Sequence, residues 1–222
     1  MGRGILLGCF LLQWLLGYGQ QSYVGFGIGG YLSNQYRDIE QAMINSGFND
    51  LSPGIYSLKP AEHPFSKLNP FWSVDILHFF SSKGLGFTFA RSGGGVSYGY
   101  NNTTNSYLFL HYSCTVVGGS FAVMLGKRHF VSIGTGLNVL QYEEEASSST
   151  ALGFDLLPGL MMKYMVNVVN WQGYFLAFKS DIQLMPKTIM GPFRSTRNSP
   201  EFLASEVHFS HIDIGLCFGK RF

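Results

Sequence analysis

The sequence predicts an all-β chain, an antiparallel up-and-down transmembrane β-barrel of about eight strands with a short helix in its first long outer loop. Three observations predict it. Apolar residues alternate with small or polar ones at a period of two through eight separate runs, the pattern of strands whose two faces meet different environments. The connections between those runs are alternately long and tight, as in a barrel with long loops at one end and short turns at the other. Beyond residue 19 no apolar stretch approaches the roughly 20 residues of a membrane helix, so any span must be made of strands closed on themselves.

Composition agrees with this reading. The 222 residues fit one domain, and 46% hydrophobic content beside 13% charged residues is apolar without the profile of a helical membrane protein. Abundant Gly, Phe and Tyr suit strands with one small-residue face and one aromatic face. The formal charge of +2 comes from scattered lysines and arginines, which form no stripe that would track a phosphate backbone, so nucleic acid is not an expected partner.

Residues 1–19 read as a signal peptide: Arg3 is the basic n-region, Ile5 to Leu16 the apolar h-region and Gly17-Tyr18-Gly19 the small-x-small cleavage site. About a dozen apolar residues are too few to span a bilayer. Cys9 lies inside this run and is read as incidental. The domain then covers residues 20–222, with Cys114 and Cys217 expected as free thiols.

The elements follow in order. Val24, Phe26, Ile28 and Leu32 share one face of the first strand, opposite Gly25, Gly27, Gly29 and Tyr31. In the first long connection, Arg37 to Ser46 carries Ile39, Ala42 and Met43 on one helical face, with Gly47 placed to end the helix. Such an apolar stripe needs a surface to rest on: the barrel mouth, a partner protein or lipid headgroups. Trp72 to Phe80 sets Val74 and Ile76 opposite Ser73 and Asp75, and Leu85, Phe87 and Phe89 oppose Gly86, Thr88 and Ala90. From Tyr107 to Leu125, Leu108, Leu110, Tyr112 and Val116 oppose His111, Ser113 and Thr115, with Gly118-Gly119 as the expected bulge. Val131, Ile133, Leu137 and Val139 alternate with Ser132, Gly134, Gly136 and Asn138. Leu156, Leu160, Met162 and Tyr164 oppose Asp155, Gly159 and Lys163; Leu176, Phe178, Ile182 and Leu184 oppose Ala177, Lys179, Asp181 and Gln183. The last strand sets Ile212, Ile214, Leu216 and Phe218 against His211, Asp213, Gly215 and Gly219, and ends at Phe222. The expected long connections are Ser33 to Phe71, Ser92 to Ser106, Tyr142 to Gly153 and Pro186 to Ala204. Trp171 and Tyr174 should mark one aromatic girdle, Trp72 and Tyr142 the other.

The glycine-alternating run Tyr23 to Gly29 and the tail Ile212 to Phe222 resemble the small bacterial outer-membrane β-barrel proteins, of OmpA/OmpX-like architecture and of the uncharacterised barrel families of Bacteroidota. The resemblance implies export, location in the bacterial outer membrane, contact with its lipids and lipopolysaccharide, and recognition by the barrel assembly machinery. Ile214, Leu216, Phe218 and Phe222 match the family's C-terminal assembly signal; Lys220 departs from it.

An eight-stranded barrel is filled by its own side chains, so no open channel is expected. Asp75, His111, Asp155, Lys163, Lys179, Asp181, His211 and Asp213 are the expected interior polar network, with acids and bases pairing because an unpaired charge is costly there. No catalytic, metal or cofactor site is expected: the histidines lack ligand spacing, and Gly93-Gly94-Gly95 lacks the lysine of a phosphate loop. Asn101-Asn102-Thr103-Thr104 reads as a polar loop tip, and Glu143-Glu144-Glu145 as a solvated outer loop. His208-Phe209-Ser210 and His111-Tyr112-Ser113 resemble the His/Ser pair of outer-membrane lipid A deacylases, in which a base activates a serine. The expected role is structural, adhesive or complex-forming through the outer loops. The alternatives are a lipid-facing hydrolase and a soluble secreted barrel carrying a small ligand.

Overall fold

The computed structural model describes residues 21–33, 35–48, 69–101, 106–146, 149–192, 201 and 203–222. The expected signal peptide, with Cys9, and the loop tip at 102–104 lie outside them. Eight strands close one antiparallel barrel: β1 (Gln21–Ser33), β2 (Asn69–Phe80), β3 (Lys83–Asn101), β4 (Ser106–Leu125), β5 (His129–Ala146), β6 (Ser149–Trp171), β7 (Tyr174–Leu184) and β10 (His211–Arg221), which pairs back onto β1. Helix α1 (Gln35–Asn45) follows β1, and β8 (Thr188–Met190) pairs with β9 (Ser205–Val207) in a separate small hairpin.

Period-two patterning puts large apolar side chains on the outside all round the wall. Phe26, Ile28, Phe87, Phe121, Ile133, Leu216 and Phe218 are each about half exposed, while their neighbours Gly27, Thr88, Ser132 and Cys217 are buried. The inward glycines set how tightly the wall curves. A Cβ on Gly215 would lie 2.1 Å from the Ile28 carbonyl oxygen, and one on Gly134 2.1 Å from that of Gly119. No L side chain fits there without parting the strands.

The β6–β7 turn places Gln172 and Gly173 at φ 48° and 86°, the left-handed pair that matches the twist of a two-residue hairpin. At the end of α1, Gly47 has φ 90° and the Phe48 amide donates to the Met43 carbonyl at 3.0 Å. This left-handed C-terminal cap ends the helix where the glycine lies in the sequence.

Three expectations need correction. In β4 it is the apolar face, Leu108, Leu110, Tyr112 and Val116, that points into the barrel. The alternation defines two faces without saying which is the lumen, and here the lumen is greasy because α1 packs on it. Gly118 and Gly119 stay in register with Gly136 and Thr135; the register shifts fall instead between Gly93 and Gly95 and between Asn167 and Val169. The third and fifth connections are not long loops. β3 runs on to Asn101 and β5 to Ala146, each paired with the strand that follows. An antiparallel pair satisfies its backbone between its own two strands, so a hairpin can outgrow the closed barrel. The glycine triplet is thus a bulge inside β3, and Glu143, Glu144 and Glu145 are strand residues of β5.

Candidate functional site: the filled lumen and its cap

The polar side chains at inward positions carry the chemistry of the barrel interior, and they form layers. The middle layer is ionic. Asp75 of β2 accepts from the ammonium groups of Lys163 (β6) and Lys179 (β7), from Ser73 at 3.0 Å and from Thr88 at 2.8 Å. Asp181 of β7 lies 2.9 Å from the Lys179 ammonium and 3.3 Å from that of Lys163. Two carboxylates therefore share two ammonium groups, all four almost wholly buried. That ratio is what a low-dielectric interior requires, since each charge would be costly alone. Glycine makes the room: a Cβ on Gly27 would come within 2.5 Å of the Ser73 hydroxyl and 3.5 Å of the Lys179 stem.

Just above, towards the loop end, Asp213 accepts from Ser92 at 3.3 Å and lies 3.7 Å from His211 Nε2. His211 Nδ1 is 2.9 Å from the Phe209 carbonyl. A carbonyl only accepts, so Nδ1 carries a proton. Asp155 sits apart at the loop-side rim, accepting from Thr188 at 3.3 Å. Thus Asp75, Lys163, Lys179 and Asp181 are brought together, with His211 and Asp213 beside them and Asp155 separate. His111 has its backbone in β4, one residue out of phase with the buried Leu110 and Tyr112, and its side chain lies outside the described residues. Sequence reasoning left out the hydroxyl donors Thr88 and Ser92, although both stand at inward parity with Asp75's strand neighbours.

The ionic layer is sealed on both sides. Towards the turns, Tyr23, Phe79, Phe130 and Phe175 form an aromatic floor, with Tyr23 edge-on to the other three at 5.0–5.7 Å. Towards the loops, Leu108, Leu110, Tyr112, Leu140 and Met161 pack against Ile39, Ala42 and Met43 of α1 and against Phe48. The helix therefore caps the mouth with the apolar stripe read from the sequence. It is fastened by Asp38, which accepts from the His208 amide at 3.0 Å and pairs with its imidazole at 2.9 Å. Ser46 accepts from the Leu203 amide, and Asn101 donates to the Gly47 carbonyl. Beside the four charges there remains a cavity of about 20 Å³, lined also by Ser132 and Phe130. That space suits one water and nothing larger.

No hydrogen bond joins His208 to Ser210, and the His111 side chain lies outside the described residues. The Ser210 hydroxyl accepts from the Met185 amide at 2.9 Å and lies 3.2 Å from its carbonyl, while His208 pairs with Asp38. Ser113 accepts from Arg91 at 3.3 Å. Among the described residues no cluster of His, Cys, Asp and Glu is placed to hold a metal. Cys114 and Cys217 are buried free thiols in different packing clusters.

At the turn end, Trp171 and Tyr174 are exposed beside Phe222, as expected of a girdle. Trp72 stands at the other edge of the apolar band, and the side chain of Tyr142 lies outside the described residues. Lys220, discordant in the tail, has its ammonium 5.6 Å from the Tyr174 ring centroid and 5.0 Å from that of Phe222. It behaves as a snorkelling cation over two aromatic faces.

No protein-family model matches the chain, and no curated protein matches it in sequence. Among solved structures it is similar to the attachment invasion locus protein Ail of Yersinia pestis in complex with the heparin analogue sucrose octasulfate. The identity is 9%, the TM-score 0.46, and the match covers 92% of this chain and 99% of that one. It is also similar to the N-terminal β-barrel domain of Pseudomonas aeruginosa OprF, at 12% identity, TM-score 0.42 and 92% and 99% coverage. Neisserial surface protein A follows with 6% identity, TM-score 0.39 and coverage of 91% and 96%.

Proposed function

We propose that this chain is an exported outer-membrane β-barrel that acts through its loop end, as a structural, adhesive or complex-forming protein, and not through its lumen. The observation that carries the proposal is the pairing of a sealed interior with an apolar exterior. A soluble protein rarely leaves more than a few hundred Å² of contiguous apolar surface in water, yet large apolar side chains here encircle the barrel, with Phe218 59% and Ile28 56% exposed. A bilayer satisfies that surface, and strands of 11 to 13 residues on the short side, β1, β2, β7 and β10, are long enough to cross it. The groove between Phe26, Ile28, Trp72 and Leu216 is lined almost wholly by apolar atoms and suits acyl chains.

Inside, every layer is occupied, so passage of a solute would require breaking the ionic cluster as well as lifting α1. What remains for recognition is the loop end, where α1, the β8–β9 hairpin and the long β3–β4 and β5–β6 hairpins stand together. Long outer segments on a rigid barrel are where binding resides in this architecture. The barrel extracted in detergent should migrate faster unboiled than boiled and should require detergent to stay in solution. In detergent pull-downs it should retain a partner that is lost on deleting residues 35–48. Solubility without detergent would sink the reading.

A further inference from the structure

The charges outside the lumen are sorted by end. Every Asp and Glu among the described residues lies in the ionic layers, in α1, or in the loop-side parts of the strands and connections. At the turn end stand Lys83, Lys127, Arg128, Lys220 and Arg221, all exposed. None of the ion pairs among the described residues involves any of the five. Lys83 follows the β2–β3 turn and Lys127 and Arg128 form the β4–β5 turn; the two turns are tied by the bond from the Met124 amide to the Ser82 carbonyl at 2.7 Å. On the opposite side, Lys220 and Arg221 end β10, where the Arg221 amide donates to the Gly173 carbonyl and the Arg221 side chain turns inward to bond Tyr23, leaving Lys220 as the outward cation.

Their height along the barrel identifies what they meet. Phe80, Leu85 and Leu125, each 42–54% exposed, flank the first group; Trp171, Tyr174 and Phe222, 42–67% exposed, flank the second. These belong to the edge of the apolar band and its aromatic girdle, so the ammonium and guanidinium groups sit where a bilayer turns from acyl chain to headgroup. The two cation–π contacts of Lys220 hold one of them at that level.

We infer that the turn end is a binding surface for anionic phospholipid headgroups, with Lys83, Lys127 and Arg128 as the main site and Lys220 as a second contact. The inference rests on the membrane reading above and adds to it a lipid class and a leaflet, the one on the turn side. Basic residues at a bilayer surface bind acidic lipid by Coulomb attraction that fades beyond a Debye length. Lys83, Lys127 and Arg128 have no carboxylate partner among the described residues, so the lipid supplies the counter-charge.

The test uses the folded full chain in vesicles of phosphatidylcholine containing a minor fraction of spin-labelled phosphatidylglycerol or spin-labelled phosphatidylcholine, with the protein-bound fraction read by electron spin resonance. Phosphatidylglycerol should associate about fivefold better per engaged cation at low salt, and the preference should collapse near about 0.5 M salt. The combined Lys83→Gln, Lys127→Gln and Arg128→Gln variant should lose most of it, whereas Lys187→Gln at the loop end should keep it. Equal association of the two lipids with an inserted wild-type barrel overturns the inference and leaves the membrane reading standing. So does a triple variant that keeps the full preference, or binding of soluble dextran sulfate without any lipid preference. Failure to insert into either vesicle overturns both. If the triple variant does not fold, the salt dependence of the wild type decides.

Discussion

Asp75 is the residue on which the interior turns, because four donors from three other positions and its own strand converge on one carboxylate: Ser73, Thr88, Lys163 and Lys179. Replacing it with alanine leaves two ammonium groups facing Asp181 alone. Removing one partner of a buried ion cluster costs about 3–5 kcal/mol, so Asp75→Ala should lower the urea midpoint of the barrel in vesicles by a matching amount. Ser92→Ala, which removes a 3.3 Å bond to Asp213 and a 3.4 Å contact with His211 Nε2, should cost less, about 1–2 kcal/mol. A second contrast concerns glycine. Gly215→Ala drives a Cβ to 2.1 Å from the Ile28 carbonyl oxygen, whereas the nearest atom to a Cβ on Gly119 is 4.0 Å away. Overpacking costs about 1–3 kcal/mol, so Gly215→Ala should slow or weaken assembly, measured by the heat-modifiable fraction, and Gly119→Ala should leave it unchanged.

Among the elements, α1 is the one whose loss is separable from the rest. Met43 is fully buried between the helix and the loop-side core, and truncating such a side chain costs about 2–5 kcal/mol. A Met43→Ala variant should show faster amide hydrogen exchange across residues 35–48 while the barrel keeps its heat-modifiable migration. Much of this element was legible in the sequence: Ile39, Ala42 and Met43 recur at helical spacing and Gly47 stops them. The polar cluster was legible for the same kind of reason, since Asp75, Lys163, Lys179 and Asp181 each occupy the small-residue phase of an alternating strand. Two things were not legible. The phase of β4 escaped because both its faces are plausible outward faces until α1 is known to rest on one of them. The length of the β3–β4 and β5–β6 hairpins escaped because Gly93-Gly94-Gly95 and Glu143-Glu144-Glu145 carry loop composition, while their pairing partners lie across a turn that local composition does not reveal. The hydrogen bond from His208 to Asp38, 170 residues apart, left no local trace at all.

For the whole molecule, the layering of aromatic floor, ionic middle and capped apolar top predicts an electrically silent barrel. Reconstituted in planar bilayers, the wild-type protein should add no steady current above background, and stable open-channel steps would contradict the sealed lumen. Deleting residues 35–48 should still leave it closed, because the ionic layer and the aromatic floor lie on the far side of the cap.

The unequal strand lengths have a further consequence. Beyond its last partner on β2, β3 continues from Gly93 to Asn101, and beyond its last partner on β7, β6 continues over residues 149–159. At strand rise and barrel tilt, that raises half of the rim by roughly 20 Å above the other half. Seen from the loop end, the molecule is then a half-drawn screen: a large molecule approaching that end is fenced off on the β3–β6 side and meets α1 and the small hairpin from the other. Its neighbours in the membrane plane encounter a front and a back, and a crowded array of such barrels has a compass direction that a symmetrical cylinder lacks.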